Sequence, residues 1–301
     1  MSESAVDEAT DVFMHHRELL FGLVYNMLGS VTDTEDVLQE TWLSWSGRGT
    51  DGVDNPRAYL VRIAVNHALQ RRASITRRRE TYVGPWLPEP LVADDPGTDD
   101  PAVRTESVSL AMLVVLESLT PLERAVFVLH EVFGYAHTEI ADIIERSPAA
   151  VRQLAHRARR HVHARRPRYR AHPRVRREAT ERFVQAALGG DIAELMEILA
   201  PDVTVWTDSG GNRKPAGLRP VRGRDKAVRL LHSYAQRDGA RHRDLDLRYR
   251  RVNGDDAAVL FDGDSPYAVM VMDLSPDGDR ISGIYVVTNP DKLTHVHKEA
   301  A

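Results

Sequence analysis

Residues 120–166 read TPLERAVFVLHEVFGYAHTEIADIIERSPAAVRQLAHRARRHVHARR. Ala141 and Val151 stand ten residues apart, one in each of two short helical patterns. That is the spacing at which the two helices of a helix-turn-helix pack. Ile140, Ala141 and Ile144 fall on one face of the first helix, and Val151, Leu154, Ala155 and Ala158 on one face of the second. Ser147 can cap the second helix and Pro148 suits its first position. Its outward face then carries Ala149, Arg152, Gln153, His156, Arg157 and Arg160. A small residue lets the helix approach base edges, Arg and Gln can bond them in pairs, and the later arginines can reach phosphates. Glu145 stands where such a turn usually holds Gly, a cost of about 1 kcal/mol if the position is left-handed.

Charge outside this stretch is unevenly placed. Residues 1–56 hold 11 acidic side chains against Arg17 and Arg48 alone, residues 57–79 hold seven arginines and no acid, and residues 146–177 hold twelve arginines and no acid. Two cationic blocks in a chain of net charge −4 point to two contacts with one polyanion. The 301 residues suggest two or three domains. No cysteine is present, so no disulfide or thiolate metal site is expected, and a reducing, cytoplasmic setting fits. Apolar runs such as Ser107–Leu116 are too short for a bilayer, and the acidic start MSESAVDEAT is unlike a signal peptide, so no membrane partner is expected.

Leu19, Leu20, Leu23, Val24, Met27 and Leu28 form a helical stripe that Gly29 ends. Asp33 can cap a second helix, with Val37, Leu38, Thr41, Trp42 and Trp45 on one side and Glu35, Asp36, Gln39 and Glu40 on the other. Asn55-Pro56 opens a third, basic helix, with Arg62, Asn66, Gln70 and Arg71 outward. A basic helix with polar residues among its arginines can hold a separated DNA strand by its phosphates while Asn66 meets unstacked bases. From Thr76 the chain turns proline-rich and acidic, which reads as a linker in which Tyr82, Val83, Trp86 and Leu87 need a place to dock. Helix is expected to resume near Val103.

The order acidic helix, basic helix, proline-rich linker and helix-turn-helix resembles the extracytoplasmic-function sigma factors. LLFGLVYNMLGSVTDTEDVLQETWLSW resembles the core-binding part of their region 2, NPRAYLVRIAVNHALQRR the part that reads and melts the −10 element, and residues 120–163 resemble region 4, which reads the −35 element. The segment TYVGPWLPEP, the motif Asp208-Ser209-Gly210-Gly211-Asn212 and Asn289-Pro290-Asp291-Lys292-Leu293 resemble the sigma-J-like subgroup, which carries a fused C-terminal domain. The resemblance implies RNA polymerase core and promoter DNA as partners. It places −35 contacts at Ala149, Arg152, Gln153, His156, Arg157 and Arg160. It places −10 contacts at Arg62, Asn66, Gln70, Arg71 and Arg72, and core-polymerase contacts at Asp36, Gln39, Glu40 and Trp42. Interdomain contacts fall to Trp86, Leu87, Asp208, Asn289, Asp291 and Lys292.

After Arg177 a helical stretch, REATERFVQAALGGDIAELMEIL, leads to strand-like runs VTVWT, LDLRYR, AAVLFD, YAVMVMDL and ISGIYVVT, with Asn253-Gly254, Asp262-Gly263 and Asp277-Gly278 as hairpin turns. This resembles the SnoaL-like fold, related to nuclear transport factor 2, whose cavity could take a small-molecule ligand. Some such proteins are cyclases, so Asp202, Asp208, Asp262 and Asp273 are weighed as acid–base groups. Asp202 and Asp273 lie beside turns, where carboxylates are usually exposed, and no pair suited to catalysis emerges. Trp206, Tyr267 and Tyr285 read as wall residues. His161 with His163 reads as helix surface, so neither metal nor cofactor is expected.

The expected architecture is multidomain: two all-α sigma domains plus an α+β SnoaL-like cone. Region 2 spans 1–75, the linker 76–107, region 4 108–170 and the C-terminal regulatory domain 176–299. The expected function is a non-enzymatic sigma factor tuned in cis by its C-terminal domain. The alternatives are a helix-turn-helix regulator with a sensing or cyclase-like domain, which leaves the N-terminal helices unexplained, and an enzyme whose DNA-binding part regulates it.

Overall fold

The computed structural model describes residues 3–48, 52–93, 108–163, 173–211, 219–237 and 245–298. The chain divides into two compact units. The first comprises Met1–Glu80, Pro101–Val108 and Val115–Arg165, and the second Thr81–Asp100, Ser109–Val114 and Arg166–Ala301.

In the first unit α1 (Glu3–Leu28), α2 (Val31–Arg48) and α3 (Pro56–Glu80) form a bundle. Leu20, Leu23, Val24, Leu28, Val37, Trp45, Leu60 and Ala64 are buried in it, and the Trp45 indole donates to the Ala9 carbonyl at 2.8 Å. Gly29 closes α1 at φ 71°, a backbone conformation only glycine adopts freely. Asp33 is not the cap of α2. The helix starts two residues earlier, and Ser30 Oγ accepts the Asp33 N–H at 3.1 Å. Nor does the linker begin at residue 76, because α3 keeps its helical hydrogen bonding to Glu80.

The helix-turn-helix follows. The expected helix near Val103 lies outside the described residues, and α4 runs from Leu110 to Leu116. Then come α5 (Pro121–Phe127), a π-helical turn (Val128–Val132), α6 (His137–Ile143) and α7 (Pro148–His163). Thr120 and Glu123 form a reciprocal capping box on α5. The Ala150 N–H donates to Ser147 Oγ at 3.2 Å, the cap expected for α7. Glu145 holds φ 54°, so the turn does carry a side chain in the left-handed region. A buried charged group ties these helices to the bundle. Glu117 lies 2.7 Å from Arg72 and 2.5 Å from Arg124, while Arg72 also donates to the Leu28 carbonyl and Arg124 to the Asn26 carbonyl. Burial pulls the Arg72 guanidinium down to about 10 and lowers Arg124 as well.

The second unit is one six-stranded sheet in the order β2-β1-β6-β5-β4-β3, where β1 and β6 are parallel and the other pairs antiparallel. Its strands are β1 (Leu199–Asp208), β2 (Val221–Arg222), β3 (Leu245–Val252), β4 (Asp255–Asp262), β5 (Ser265–Leu274) and β6 (Ile281–Val287). Helices α8 (Pro173–Gly189), α9 (Ile192–Ile198) and α10 (Arg224–Arg237) accompany it. Side chains alternate between two cores. Ala268, Met270 and Met272 of β5 join Phe183 and Leu195 of the helices, while Val269 and Val271 pack with Leu87, Leu110, Phe261 and Leu293. This is the α+β domain expected, with two departures. The single helix read over 177–199 is two, broken at Gly190 (φ 69°), and Asp191 recaps the chain by accepting the Glu194 N–H. The short β2 and the charged α10 had no counterpart in the sequence reading.

Candidate nucleic-acid interface and linker clamp

In the first unit, α7 buries Val151, Leu154, Ala155, Ala158 and Val162. That leaves Ala149, Arg152, Gln153, His156, Arg157 and Arg160 together on its exposed face. Arg157 Nε meets Glu123 Oε1 at 3.1 Å. Burial raises the Glu123 carboxyl, but hydrogen bonds from Thr120 and the charge of Arg157 outweigh it and hold the group below its ordinary value. His161 and His163 are exposed, as expected of helix surface.

The five −10 residues do not share a surface. Arg62 pairs with Glu145 at 2.5 Å, and Asn66 Nδ2 donates to the Ile143 carbonyl at 3.3 Å, so both meet the end of α6. Gln70 is exposed. Arg71 turns instead to the acidic face of α2, at 3.1 Å from Asp36 and 2.8 Å from Glu40. Arg72 is interior, bonded to Glu117 and the Leu28 carbonyl, and does not face outward. Successive helical residues stand about 100° apart, so two adjacent arginines serve different faces. Of the core-contact residues, Asp36 and Gln39 are exposed, whereas Trp42 is half-buried with its ring 5.5 Å from Phe13.

In the second unit the linker residues Tyr82–Ala93 dock along the sheet domain. Asp208, at the end of β1, is completely buried, and four groups converge on it. The Tyr82 hydroxyl donates to Oδ1, while the Leu87 N–H donates to Oδ2 at 2.8 Å and Lys292 Nζ at 2.7 Å. The Gly210 N–H completes the set at 3.2 Å from Oδ1. Lys292 also donates to the Leu87 carbonyl at 2.5 Å and lies 3.4 Å from the centre of the Trp86 ring. Asn289 Nδ2 donates to the Tyr82 oxygen at 2.9 Å. Burial, then the Asp208 charge, raises the Tyr82 hydroxyl, which therefore stays a donor. Gly210 is needed because a Cβ there would lie 2.5 Å from Asn289 Nδ2. Leu87 is fully buried and Trp86 half-buried. Asp291 is exposed, and its part is a backbone N–H donated to Asn289 Oδ1.

The linker then adds to the sheet edge. Val92 pairs with Val252, the Ala93 N–H donates to the Arg251 carbonyl at 2.8 Å, and the Asn253 N–H donates to the Leu91 carbonyl at 2.9 Å. The sequence reading missed this strand addition, and with it Tyr82 and Asn253. Tyr82 was signalled only as part of an apolar segment in need of burial. Among the acid–base candidates, Asp202 and Asp262 are exposed and Asp208 is spent on the clamp. Asp273 is not exposed as its position beside a turn suggested. Burial raises its carboxyl to about 6, partly opposed by Arg176, and it neighbours the buried Tyr285, whose ring stacks on Trp206 at 4.7 Å.

Comparison with known proteins agrees with this anatomy. Residues 12–79 match the family model for sigma-70 region 2, and residues 109–162 the model for sigma-70 region 4. The chain is 36% identical over 286 residues to the ECF RNA polymerase sigma factor SigJ of Mycobacterium tuberculosis, covering 92% of this chain and 91% of that one. It is 29% identical to a probable ECF sigma factor, SigI, of the same organism, over 97% of both. The crystal structure of SigJ superposes with a TM-score of 0.75 at 34% identity, covering 95% of this chain and 98% of that one. The chain therefore belongs to the extracytoplasmic-function sigma factors of the sigma-70 family.

Proposed function

We propose that this chain binds RNA polymerase core through the acidic face of α2, reads the −35 element with α7 and the −10 element with α3, and is tuned in cis by its C-terminal unit. The sigma part rests on family membership together with the exposed row Ala149, Arg152, Gln153, His156 and Arg157 on α7. The −10 role falls to Arg62, Asn66 and Gln70. The interior position of Arg72 and the pairing of Arg71 with Asp36 and Glu40 argue for structural roles instead. Promoter engagement on this reading requires Arg62 and Asn66 to leave Glu145 and Ile143.

The observation that carries cis tuning is the convergence on Asp208. The linker that follows region 2 is held by Lys292, Asn289 and Asp208 of the C-terminal unit through Tyr82 and the Leu87 backbone. A fused domain offers this docking at high effective concentration. Burial of Leu87 and part of Trp86 contributes on the order of 3 kcal/mol. Asp208 bound to four donors is not free as a base, which favours a regulatory domain over an enzyme. No described helix is long and apolar enough to cross a membrane. The test is reconstitution: core polymerase with this chain should start transcripts at a cognate promoter, and failure to bind core would contradict the reading.

A further inference from the structure

Arg251 and Asp256 stand directly opposite each other on β3 and β4. Side chains so placed share a face of the sheet, and opposite charges there ordinarily pair. Here they do not, and among the described residues neither side chain makes an ion pair or hydrogen bond. Both line a cavity of about 220 Å³, together with Arg177, Thr180, Tyr249 and Arg250. Thr180, on α8, is wholly buried and its hydroxyl has no partner. A helical threonine commonly returns its hydroxyl to a carbonyl one turn back, and a buried hydroxyl that bonds nothing is costly. Arg177 bonds Glu181 at 2.9 Å, and the nearby Asp256 carboxylate also helps to raise its guanidinium. Arg251 and Asp256, neither of them hydrogen-bonded, and the unpartnered Thr180 hydroxyl therefore line one small space, with Arg177 near enough to feel the Asp256 charge.

We propose that this cavity binds a free α-amino acid, with its carboxylate on Arg251, its ammonium on Asp256 and a polar atom within reach of the Thr180 hydroxyl. A simple anion would meet the Asp256 carboxylate and a simple cation the Arg251 guanidinium. A small molecule carrying both charges a few ångströms apart answers all three groups. The size of the space suits a small member of the class. The site lies on the strand to which the linker adds, since Arg251 supplies the carbonyl that accepts the Ala93 N–H and Val252 pairs with Val92. An occupant that fixes Arg251 firms the edge that holds Leu91–Ala93. This coupling, though not the site itself, rests on the cis-tuning reading.

Calorimetric titration of the full-length protein with each of the common amino acids, to about 10 mM, tests the site. At least one should bind saturably at one per chain, and Arg251→Gln and Asp256→Asn should each weaken it by about tenfold or more. Both positions are at least partly exposed, so neither change threatens the fold, and circular dichroism would verify that. Binding by none of the amino acids, or binding that survives both substitutions, overturns the proposal. At saturation the amides of Leu91–Ala93 should exchange several-fold more slowly. Unchanged exchange with intact binding overturns the coupling alone. If the bound amino acid slows exchange and transcription is indifferent to the C-terminal unit, the cis-tuning reading fails and the site stands.

Discussion

Lys292 Nζ lies 2.7 Å from Asp208 Oδ2 with both side chains almost wholly removed from solvent. A buried ion pair contributes little net stability, because desolvation offsets its attraction, but breaking it by removing one partner is expensive. Here the lysine also bonds the Leu87 carbonyl and caps the Trp86 ring, so its full set of partners is complete only while the linker is docked. Lys292→Met keeps the aliphatic stem and leaves Asp208 charged beside Tyr82. It should destabilise the C-terminal unit by about 3 kcal/mol and release the linker. Loss of Trp86 fluorescence burial, read beside urea unfolding, checks this, and an unchanged Trp86 environment would count against the clamp.

Glu117 holds two buried guanidiniums, Arg72 and Arg124, and both lean on backbone carbonyls of the first helix. Glu117→Ala would leave two like charges facing each other in the interior. A loss of about 3–5 kcal/mol is expected, measured as a lowered unfolding midpoint of the sigma unit. A change under 1 kcal/mol would mean that the group is more hydrated than its burial suggests.

The raised Asp273 carboxyl gives a pH dependence of definite sign. Its folded value of about 6 exceeds the ordinary 3.8, so the folded state keeps a proton that the unfolded state gives up. Its contribution is fully present below about pH 4 and is lost as pH rises through 6. Asp273→Asn, which mimics the protonated form, should raise stability at pH 7.5 by about 2 kcal/mol and flatten the fall between pH 4 and 6. Thermal unfolding of the C-terminal transition across that range measures it, and a stability that rises through pH 6 would contradict the sign.

On α7 the N-terminal turns should enter the groove most deeply. Arg152→Ala or Gln153→Ala should cost about 1–3 kcal/mol and relax −35 preference. Arg157→Ala should weaken all promoters alike and flatten the salt dependence. Binding of a set of −35 variants at two salt concentrations separates the roles. Altered preference from Arg157→Ala but not Arg152→Ala would place the helix the other way round.

How much of this was legible in the chain depended on the reach of each interaction. The helix-turn-helix could be read because α7 sets arginines against Val151, Leu154 and Ala158 within one helical period. The β3–β4 turn could be read because Asn253-Gly254 tolerates left-handed angles, and both residues adopt them, at φ 51° and 79°. The fates of Arg71 and Arg72 could not be read, since two adjacent arginines have the same chemistry and only packed neighbours decide which is buried. Lys292 finds its partner 84 residues away. Val92 becomes a strand only because a distant sheet edge accepts it, and no local pattern reports that. The motif residues Asp208, Asn289 and Lys292 were legible as a group through resemblance, but their meeting point on Tyr82 and the Leu87 backbone was not.

The claim that the C-terminal unit tunes the sigma part in cis is tested most directly by promoter-specific transcription. Reconstituted core polymerase would be supplied with the full chain, with a chain ending at Thr288, and with a chain ending at Arg170. Loss of residues from Asn289 onward removes Lys292 and the Asn289 side chain from the clamp and Leu293 and Val296 from the sheet core, so transcription should fall, and the unfolding transition of the sheet domain is followed alongside. Removal of everything after Arg170 should abolish the control while core binding, measured in parallel, survives. Three distinct activities at equal core binding are the predicted result. Equal promoter activity from all three chains would contradict the account.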